Sequence, residues 1–247
     1  MFTRLLIGLD GSPRADQALA QAILLGRRFG STLVVATVRE GGEAGDPGLL
    51  PRASERVTAA GLKVEAVDRE GEADIALAEL AKGVDAVLVG RRGSATGEDA
   101  LGPTVSSLIR IAERCVIVCG AAPYPMNACA VAYDDGDTSR RALELAARFA
   151  GVGDGTVHLI HAAKDRAAGL KVVGAAEALL SLQGVQFVTH VETGKPGEVV
   201  ARVVAQTGAD CLFAGAHVPR AGERPSVVVS HAEEILRRTD LPVVIQP

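Results

Sequence analysis

The feature of this sequence that most constrains its fold is an internal duplication. The segment G-V-D-A-V-L-V-G at residues 83–90 is matched by G-A-D-C-L-F-A-G at residues 208–215. An aspartate followed eight residues later by Ala-Leu occurs at Asp10 and again at Asp134. Self-similarity of this kind indicates two copies of one folding unit. We therefore predict two homologous domains, which span residues 1–122 and 126–247.

Within each half, short apolar runs alternate with segments of helical periodicity. Residues 5–9 form an apolar run, and the alanines and leucines that follow Pro13 recur at helical spacing as far as Gly30. Strands that alternate with helices indicate a parallel sheet covered on both faces. The predicted fold class is α/β, and 247 residues suit two domains of about 120 residues each.

The same patterns predict the remaining elements of the first half. Residues 40–50 are rich in Gly and Pro and are expected to form a loop that could cover a site in the first domain. A helix is expected at 51–60 and a linker at 120–125. The other predicted strands are residues 33–38, 63–68, 84–89 and 115–119, and the last predicted helices begin at residues 73 and 103.

Composition excludes several classes of protein. The net charge is -4, which gives no support for broad nucleic-acid binding, because that requires a basic face. No apolar run reaches transmembrane length, and the N-terminal run is too short for a signal peptide. The four cysteines show neither zinc spacing nor a plausible disulfide and are predicted to be buried free thiols. We expect a cytoplasmic protein with neither a nucleic-acid nor a membrane partner.

A glycine-rich segment follows the apolar run at 84–89. Gly90, Gly93, Gly97 and Gly102 are interspersed with arginines and small polar residues, and helical spacing resumes after Gly102. Glycines let backbone N–H groups approach an anion, and a helix N-terminus adds further N–H groups. The segment is therefore either a phosphate-binding loop or an ordinary strand-to-helix connection.

Taken together, these motifs resemble the universal stress protein family in its tandem form, over essentially the whole chain. In the first half the resemblance is carried by Asp10-Gly11-Ser12, by residues 83–90 and by the glycine loop. In the second half it is carried by residues 208–215 and by Ser230-His-Ala-Glu-Glu-Ile-Leu-Arg237.

The resemblance implies an architecture for each half. It is a doubly wound five-stranded parallel sheet in the order 3-2-1-4-5, with helices on both faces. Ligands of such sheets bind where the strand order reverses, which is between strands one and four. The family pairs its fifth strands, so we expect residues 116–118 to pair with 243–245 and to make an internal pseudo-dimer. A further homodimer and an unidentified protein partner remain open.

The resemblance also implies an ATP site in the first half. Some members carry glycine, two residues, glycine, nine residues, glycine and Ser/Thr. Here the final spacing is one residue short, and Pro103, which has no N–H group, stands where Ser/Thr is expected. A hydrogen bond to a charged group contributes about 1.5–3 kcal/mol, so affinity would fall unless Arg91 or Arg92 offsets the loss. The nucleotide-binding residues implied are Asp10, Gly11, Ser12, Thr37, Gly90, Arg92, Gly93, Gly102, Thr104 and Val105, with ATP, and Mg²⁺ alongside it, as the ligand.

The second half departs further from this pattern. Gly215 is kept, but valines at 218 and 229 replace the later glycines. A β-branched residue does not readily adopt positive φ or let a phosphate approach closely. Although Arg220 and Arg224 keep the segment basic, we expect this site to be degenerate and unoccupied.

Three functions remain at this stage. The first is a stress-response or regulatory protein that binds an adenine nucleotide, and the second is a nucleotide-free interaction scaffold. The third is an enzyme of the wider adenine-nucleotide hydrolase type, which is disfavoured because D-G-S-P stands after strand one in place of serine-glycine-glycine. No catalytic residue or metal site is predicted. Asp10 and Asp134 each have an alternative as the cap of the following helix, and for Asp134 the cap is favoured.

Overall fold

The computed structural model describes residues 2–41, 45–91, 101–216 and 231–247. The chain divides into two compact units, Met1–Pro123 and Tyr124–Pro247. The division falls inside the segment at 120–125 that was predicted as a linker. Each unit is described by itself below.

The first unit alternates strands with helices along the chain. Its elements are β1 (Arg4–Leu9), α1 (Pro13–Phe29), β2 (Thr32–Arg39), α2 (Leu49–Ala59), β3 (Val64–Glu70), α3 (Ala73–Ala81), β4 (Ala86–Gly90), α4 (Pro103–Ile111) and β5 (Cys115–Cys119). Its sheet has the strand order β3-β2-β1-β4-β5, and each neighbouring pair is parallel.

The second unit repeats this arrangement. Its elements are β6 (Ala128–Ala132), α5 (Asp137–Val152), β7 (Thr156–Ala163), α6 (Arg166–Leu182), β8 (Gln186–Thr193), α7 (Pro196–Thr207), β9 (Cys211–Gly215), α8 (His231–Leu236) and β10 (Val243–Gln246). Its strand order is β8-β7-β6-β9-β10, again with parallel neighbours. The α/β fold class and the strand order 3-2-1-4-5 are confirmed, and the pairing of 116–118 with 243–245 stays a prediction.

The start of α2 differs from its prediction. The helix begins at Leu49 rather than at residue 51, so the last two residues of the expected loop are helical. Asp46 explains this, because its carboxylate accepts from the N–H of Gly48 at 2.8 Å and its carbonyl accepts from the N–H of Leu49 at 3.1 Å. These bonds start the turn before the proline at position 51.

Local signals fix the ends of α1. The Ser12 hydroxyl accepts a hydrogen bond from the N–H of Ala15 at 3.1 Å, and Pro13 occupies the first turn, where its missing N–H costs nothing. Gly30 ends the helix with φ +69°, in the left-handed region. The helix buries its alanine-rich face against strands whose central residues, Leu6 and Leu88, are fully buried.

One aspartate in each unit fastens the fourth strand to the first, and we call these two residues the aspartate clamps. Asp85 accepts from the backbone N–H groups of Thr3, at 2.6 Å, and Arg4, at 2.9 Å. Asp210 accepts in the same way from Asn127 and Ala128, at 3.0 and 2.9 Å. These are the aspartates of the two matching segments at 83–90 and 208–215, so the motif has a structural role that its sequence pattern did not reveal.

Candidate functional site

The predicted site lies where the strand order of the first unit reverses. Strands β1 and β4 are parallel neighbours in the register Leu5↔Ala86 to Ile7↔Leu88. Parallel strands end at the same edge, so the turn after β1 and the end of β4 lie side by side. Asp10 and Gly11 are exposed at this edge, and Gly102 begins α4 there.

The turn after β1 is built around Asp10. Its carboxylate oxygen Oδ1 accepts from the N–H of Ser12 at 2.9 Å, while Gly11 adopts φ +78°. The cap of α1 is therefore Ser12 and not Asp10, whose carboxylate fixes the turn instead. A Cβ added at Gly11 would lie 3.9 Å from Leu49 Cδ2, so the start of α2 approaches this turn from the side.

Thr37 lies beside this turn, because it is the register partner of Leu9 in the pairing of β1 with β2. Its hydroxyl donates to Asp68 Oδ1 at 3.3 Å. The guanidinium of Arg39 also binds Asp68, at 3.2 Å, and this hydrogen bond holds the pKa of the carboxyl below its usual range. The Thr37 side chain is thus engaged with β3, which leaves its backbone as the part that would meet an adenine.

Gly90 has a packing role that its place in a glycine loop concealed. A Cβ added there would lie 2.7 Å from the carbonyl carbon of Arg14 and 2.8 Å from its oxygen. The end of β4 therefore contacts the first turn of α1 too closely for any side chain. Gly215 in the second unit has the same constraint, since its Cβ would lie 2.7 Å from the backbone of Thr138 and of Ser139.

The start of α4 offers fewer donors than a complete phosphate loop. The N–H of Gly102 donates to the carbonyl of Arg91 at 3.2 Å, and Pro103 has none. The N–H groups of Thr104 and Val105 come next at the helix N-terminus, and the Val105 side chain is buried in the core. The backbone at Thr104 and Val105 is thus the part of α4 suited to contact an anion.

Part of the predicted site lies outside the described residues. This holds for Arg92, Gly93 and Gly97 of the first half. It also holds for Val218, Arg220, Arg224, Val229 and Ser230 of the second.

The second unit repeats the turn after its first strand with different residues. Asp134 Oδ1 accepts from the N–H of Gly136 at 2.9 Å, and Asp135 takes the left-handed conformation at φ +67°. Asp135 is held there by hydrogen bonds from the Tyr133 hydroxyl at 2.7 Å and from Arg140 Nε at 3.0 Å. Asp134, which was favoured as a helix cap, is not one, because the residue in the cap position is Gly136.

A cavity of about 110 Å³ lies at this edge of the second unit, at the ends of β6, β7 and β9. Asp134, Thr138 and His161 line it together with Gly215. His161 Nδ1 lies 2.8 Å from the carbonyl oxygen of Tyr133, so Nδ1 carries a proton that it donates to this oxygen. The strand registers make His161 the counterpart of Thr37. An alignment of the two halves of the sequence, strand by strand, would therefore have identified His161 as a residue of this edge.

The environment of Tyr133 gives a testable prediction. Burial, with the Asp135 carboxylate, raises the pKa of Tyr133 to about 12, although Arg140 acts in the opposite direction. Stability from this phenol is complete below its unfolded pKa near 10 and is lost as the pH rises from about 10 to 12. In a titration followed by tyrosinate absorbance, we expect a step near 12 that Tyr133→Phe removes. A native protein whose two tyrosines both ionise near 10 would contradict this environment.

The described residues contain no group of three or more His, Cys, Asp or Glu side chains placed to hold a metal ion together. Within the same residues, no helix is both long enough and apolar enough to cross a membrane. The four cysteines are free and buried, and burial raises the pKa of Cys115 to about 12.

Solved structures share this fold over the whole chain. The match to the crystal structure of a universal stress protein from Archaeoglobus fulgidus DSM 4304 spans 98% of this chain and 97% of that protein's chain, with a TM-score of 0.83 and 21% identity. The match to a putative universal stress protein from Pseudomonas aeruginosa UCBPP-PA14 spans 99% of this chain and 93% of that protein's chain, with a TM-score of 0.77 and 16% identity. A third structure, of a universal stress protein in complex with cAMP, matches only 49% of this chain but 98% of its own chain, with a TM-score of 0.43 and 26% identity.

No curated protein matches the chain significantly. The sequence model that does match is that of the universal stress protein family, over residues 1–120 and again over residues 167–247. These two matches cover most of both units. This chain therefore belongs to the universal stress protein family.

Proposed function

We propose that this chain is a stress-response or regulatory protein that binds an adenine nucleotide, ATP together with Mg²⁺, in its first unit. The observation that carries the proposal is the reversal of strand order between β1 and β4. It brings the Asp10 turn and the start of α4 to one edge of the sheet. A nucleotide needs an acceptor for its sugar or base and donors for its phosphates, and this edge offers both.

Each group has a definite role in this proposal. The Asp10 carboxylate is oriented by the N–H of Ser12 at 2.9 Å, and it would accept from the ribose or the adenine. The backbone at Thr37 would border the adenine. The N–H groups of Thr104 and Val105, with the positive end of the α4 dipole, would meet the phosphates. Gly11 supports the turn through its positive φ.

We propose binding rather than catalysis. Hydrolysis at useful rates requires a positioned base or a metal-held water in line with the γ-phosphate. The exposed carboxylate of Asp10 is assigned to the nucleoside, so the proposal gives no residue the part of a general base. We expect ATP hydrolysis to be slow and to leave the bound nucleotide as the functional state. A turnover near typical kinase rates would contradict this.

A nucleotide-free scaffold is the alternative, and three observations favour it. Gly90 is already required by its contact with Arg14, whether or not a phosphate binds. The N–H of Gly102 is already bonded to Arg91, and Pro103 has no N–H group to offer. If these losses outweigh the remaining donors, the unit would act through its surface alone.

We also propose a cytoplasmic location. The support is the state of the cysteines, because all four are free and buried in the described residues. Unpaired thiols are usual in reducing compartments.

The experiment is nucleotide release from protein purified without added nucleotide. We expect about one ATP per chain in the supernatant of the denatured protein, because one unit carries the site. We expect Asp10→Ala to weaken ATP binding tenfold or more, since a hydrogen bond to a charged group contributes about 1.5–3 kcal/mol. Asp134→Ala is the matched control, because it removes the same turn contact from the second unit, and it should leave the affinity unchanged.

The outcomes separate the two functions. No nucleotide on release, with no thermal shift on adding millimolar ATP and Mg²⁺, would favour the scaffold. Two ATP per chain would show that the second unit also binds. Equal losses in Asp10→Ala and Asp134→Ala would contradict the assignment of the site to the first unit.

A further inference from the structure

Two histidines of the second unit face each other on neighbouring strands. His158 lies in β7 and His190 in β8, and their register puts both on the same face of the sheet, since Ile160 is the partner of His190. His158 Nδ1 lies 3.4 Å from His190 Nε2. The ring centroids are 5.6 Å apart and the rings are tilted by 39°, so the two nitrogens face each other across the gap between the rings.

The surroundings of the pair are half-buried and carry little charge. Both histidines keep partial exposure, and Val188 beside them on β8 is 47% exposed. Glu192, two residues after His190 on the same strand, forms a salt bridge with Arg202 of α7. Burial lowers the pKa of both histidines. His190 lowers that of His158 further, and Glu192 partly opposes the shift at His190.

The first unit carries valines where these histidines lie. The turn aspartates align Asp10 with Asp134, so that Gly8↔Ala36 in the first unit corresponds to Ala132↔Ile160 in the second. His158 then corresponds to Val34. The pairings Ala36↔Val67 and Ile160↔His190 make His190 the counterpart of Val67. The first unit forms the same sheet with valine at both positions, so the fold itself does not require an imidazole at either place.

We propose that His158 and His190 form a two-histidine site for a divalent transition metal of the zinc class, with water in the remaining coordination positions. A tetrahedral ion held at 2.0–2.1 Å by two imidazole nitrogens separates those nitrogens by about 3.3–3.4 Å. The observed separation of 3.4 Å matches that edge, and it is longer than the distance of about 2.7–3.2 Å that is usual for N–H···O hydrogen bonds. To hold one ion, each ring would have to turn so that its lone pair points to one side of the line between the two nitrogens.

The chemistry of the pair selects the kind of ion. Neutral imidazole suits Zn²⁺, Co²⁺, Ni²⁺ and Cu²⁺, whereas Mg²⁺ and Ca²⁺ prefer oxygen ligands. Square-planar Cu²⁺ would need the nitrogens closer, at about 2.9 Å for bonds of this length. A tetrahedral ion is therefore favoured.

The experiment titrates the full chain with Co²⁺, whose tetrahedral complexes absorb visible light, and with Zn²⁺ by calorimetry. We expect the native chain to bind one ion, at least tenfold more tightly than the double variant His158→Val/His190→Val does. The double variant carries valine at both positions, as the first unit does at the corresponding ones. The control variant is His161→Gln, whose histidine lies at the end of β7 and bonds to Tyr133, and it should bind like the native chain. Zn²⁺ should also shift the imidazole resonances of His158 and His190 together.

Several outcomes would overturn the site. Equal affinity in the double valine variant would place the ion elsewhere. No binding up to millimolar metal would leave the histidines as a pair that shares a proton. If the double variant does not fold, His158→Gln and His190→Gln take its place, and each must lose the tight site. Resonance shifts at only one of the two histidines would also contradict a shared ion.

Discussion

Gly90→Ala is expected to lower the free energy of unfolding of the first unit by about 3 kcal/mol, at the upper end of overpacking effects. The added Cβ would lie 2.7–2.9 Å from three atoms of Arg14, two of which belong to the backbone at the start of α1. Backbone atoms of a capped helix cannot shift as cheaply as the tip of a side chain. Gly215→Ala should have a similar effect in the second unit, where the contacts are to Thr138 and Ser139. Urea denaturation followed by circular dichroism would measure both.

Gly174→Ala is the matched control for these variants. Gly174 lies inside α6, and an added Cβ there would have no atom within 4 Å. Because alanine favours a helix interior over glycine, we expect this change to stabilise the chain by about 0.5–1 kcal/mol. A Gly90→Ala variant that is as stable as the native chain would show that this glycine is not fixed by packing.

Asp85→Ala is expected to cost about 2–3 kcal/mol, because it leaves three donors without their charged acceptor. Those donors are the N–H and hydroxyl of Thr3 and the N–H of Arg4, at 2.6, 2.8 and 2.9 Å. Their loss frees the start of β1 from the start of β4. The measurement is the free energy of unfolding at neutral pH. Glu144→Ala is the control, since it removes one negative charge from an exposed position of α5 and should change stability by less than about 0.5 kcal/mol.

The Asp85 clamp also predicts a dependence on pH. Burial raises the pKa of its carboxyl, but hydrogen bonds from Arg4 and Thr3 together outweigh burial, so the folded-state pKa lies below the usual value. Its contribution is therefore complete above the unfolded pKa near 4 and is lost as the pH falls below that. Between about pH 4 and pH 2, the native chain should lose stability more steeply than Asp85→Asn. Parallel curves for the two proteins would contradict the clamp.

The fold was predictable because its signals are local and repeated. The fifth strand was placed at residues 115–119 by its apolar run alone, and the structure has β5 at those residues. The start of α2 was misplaced by two residues, because the side chain of Asp46 starts that helix and no apolar periodicity reports a side-chain contact. The strand order came from the family resemblance, since no periodicity specifies which strands are neighbours.

The candidate site was less predictable, because glycines serve two purposes that look alike in sequence. Gly90 was expected to approach a phosphate, yet its position is fixed by Arg14. The clamps at Asp85 and Asp210 were visible only as matching letters, because their partners lie more than eighty residues away. His158 and His190 are 32 positions apart in the sequence, and only the register of β7 with β8 brings them together.

The reach of the clamps bears on how the chain folds as it is made. Asp85 is separated from Thr3 by 82 positions, and Asp210 from Asn127 by 83. Contacts of such span slow folding, because a long segment must close before they form. All five strands of the first unit are complete at Cys119, before the first strand of the second unit leaves the ribosome. Because of the duplication, the nascent chain can fold one unit of about 120 residues after the other. In each unit, its own aspartate clamp then joins residues more than eighty positions apart.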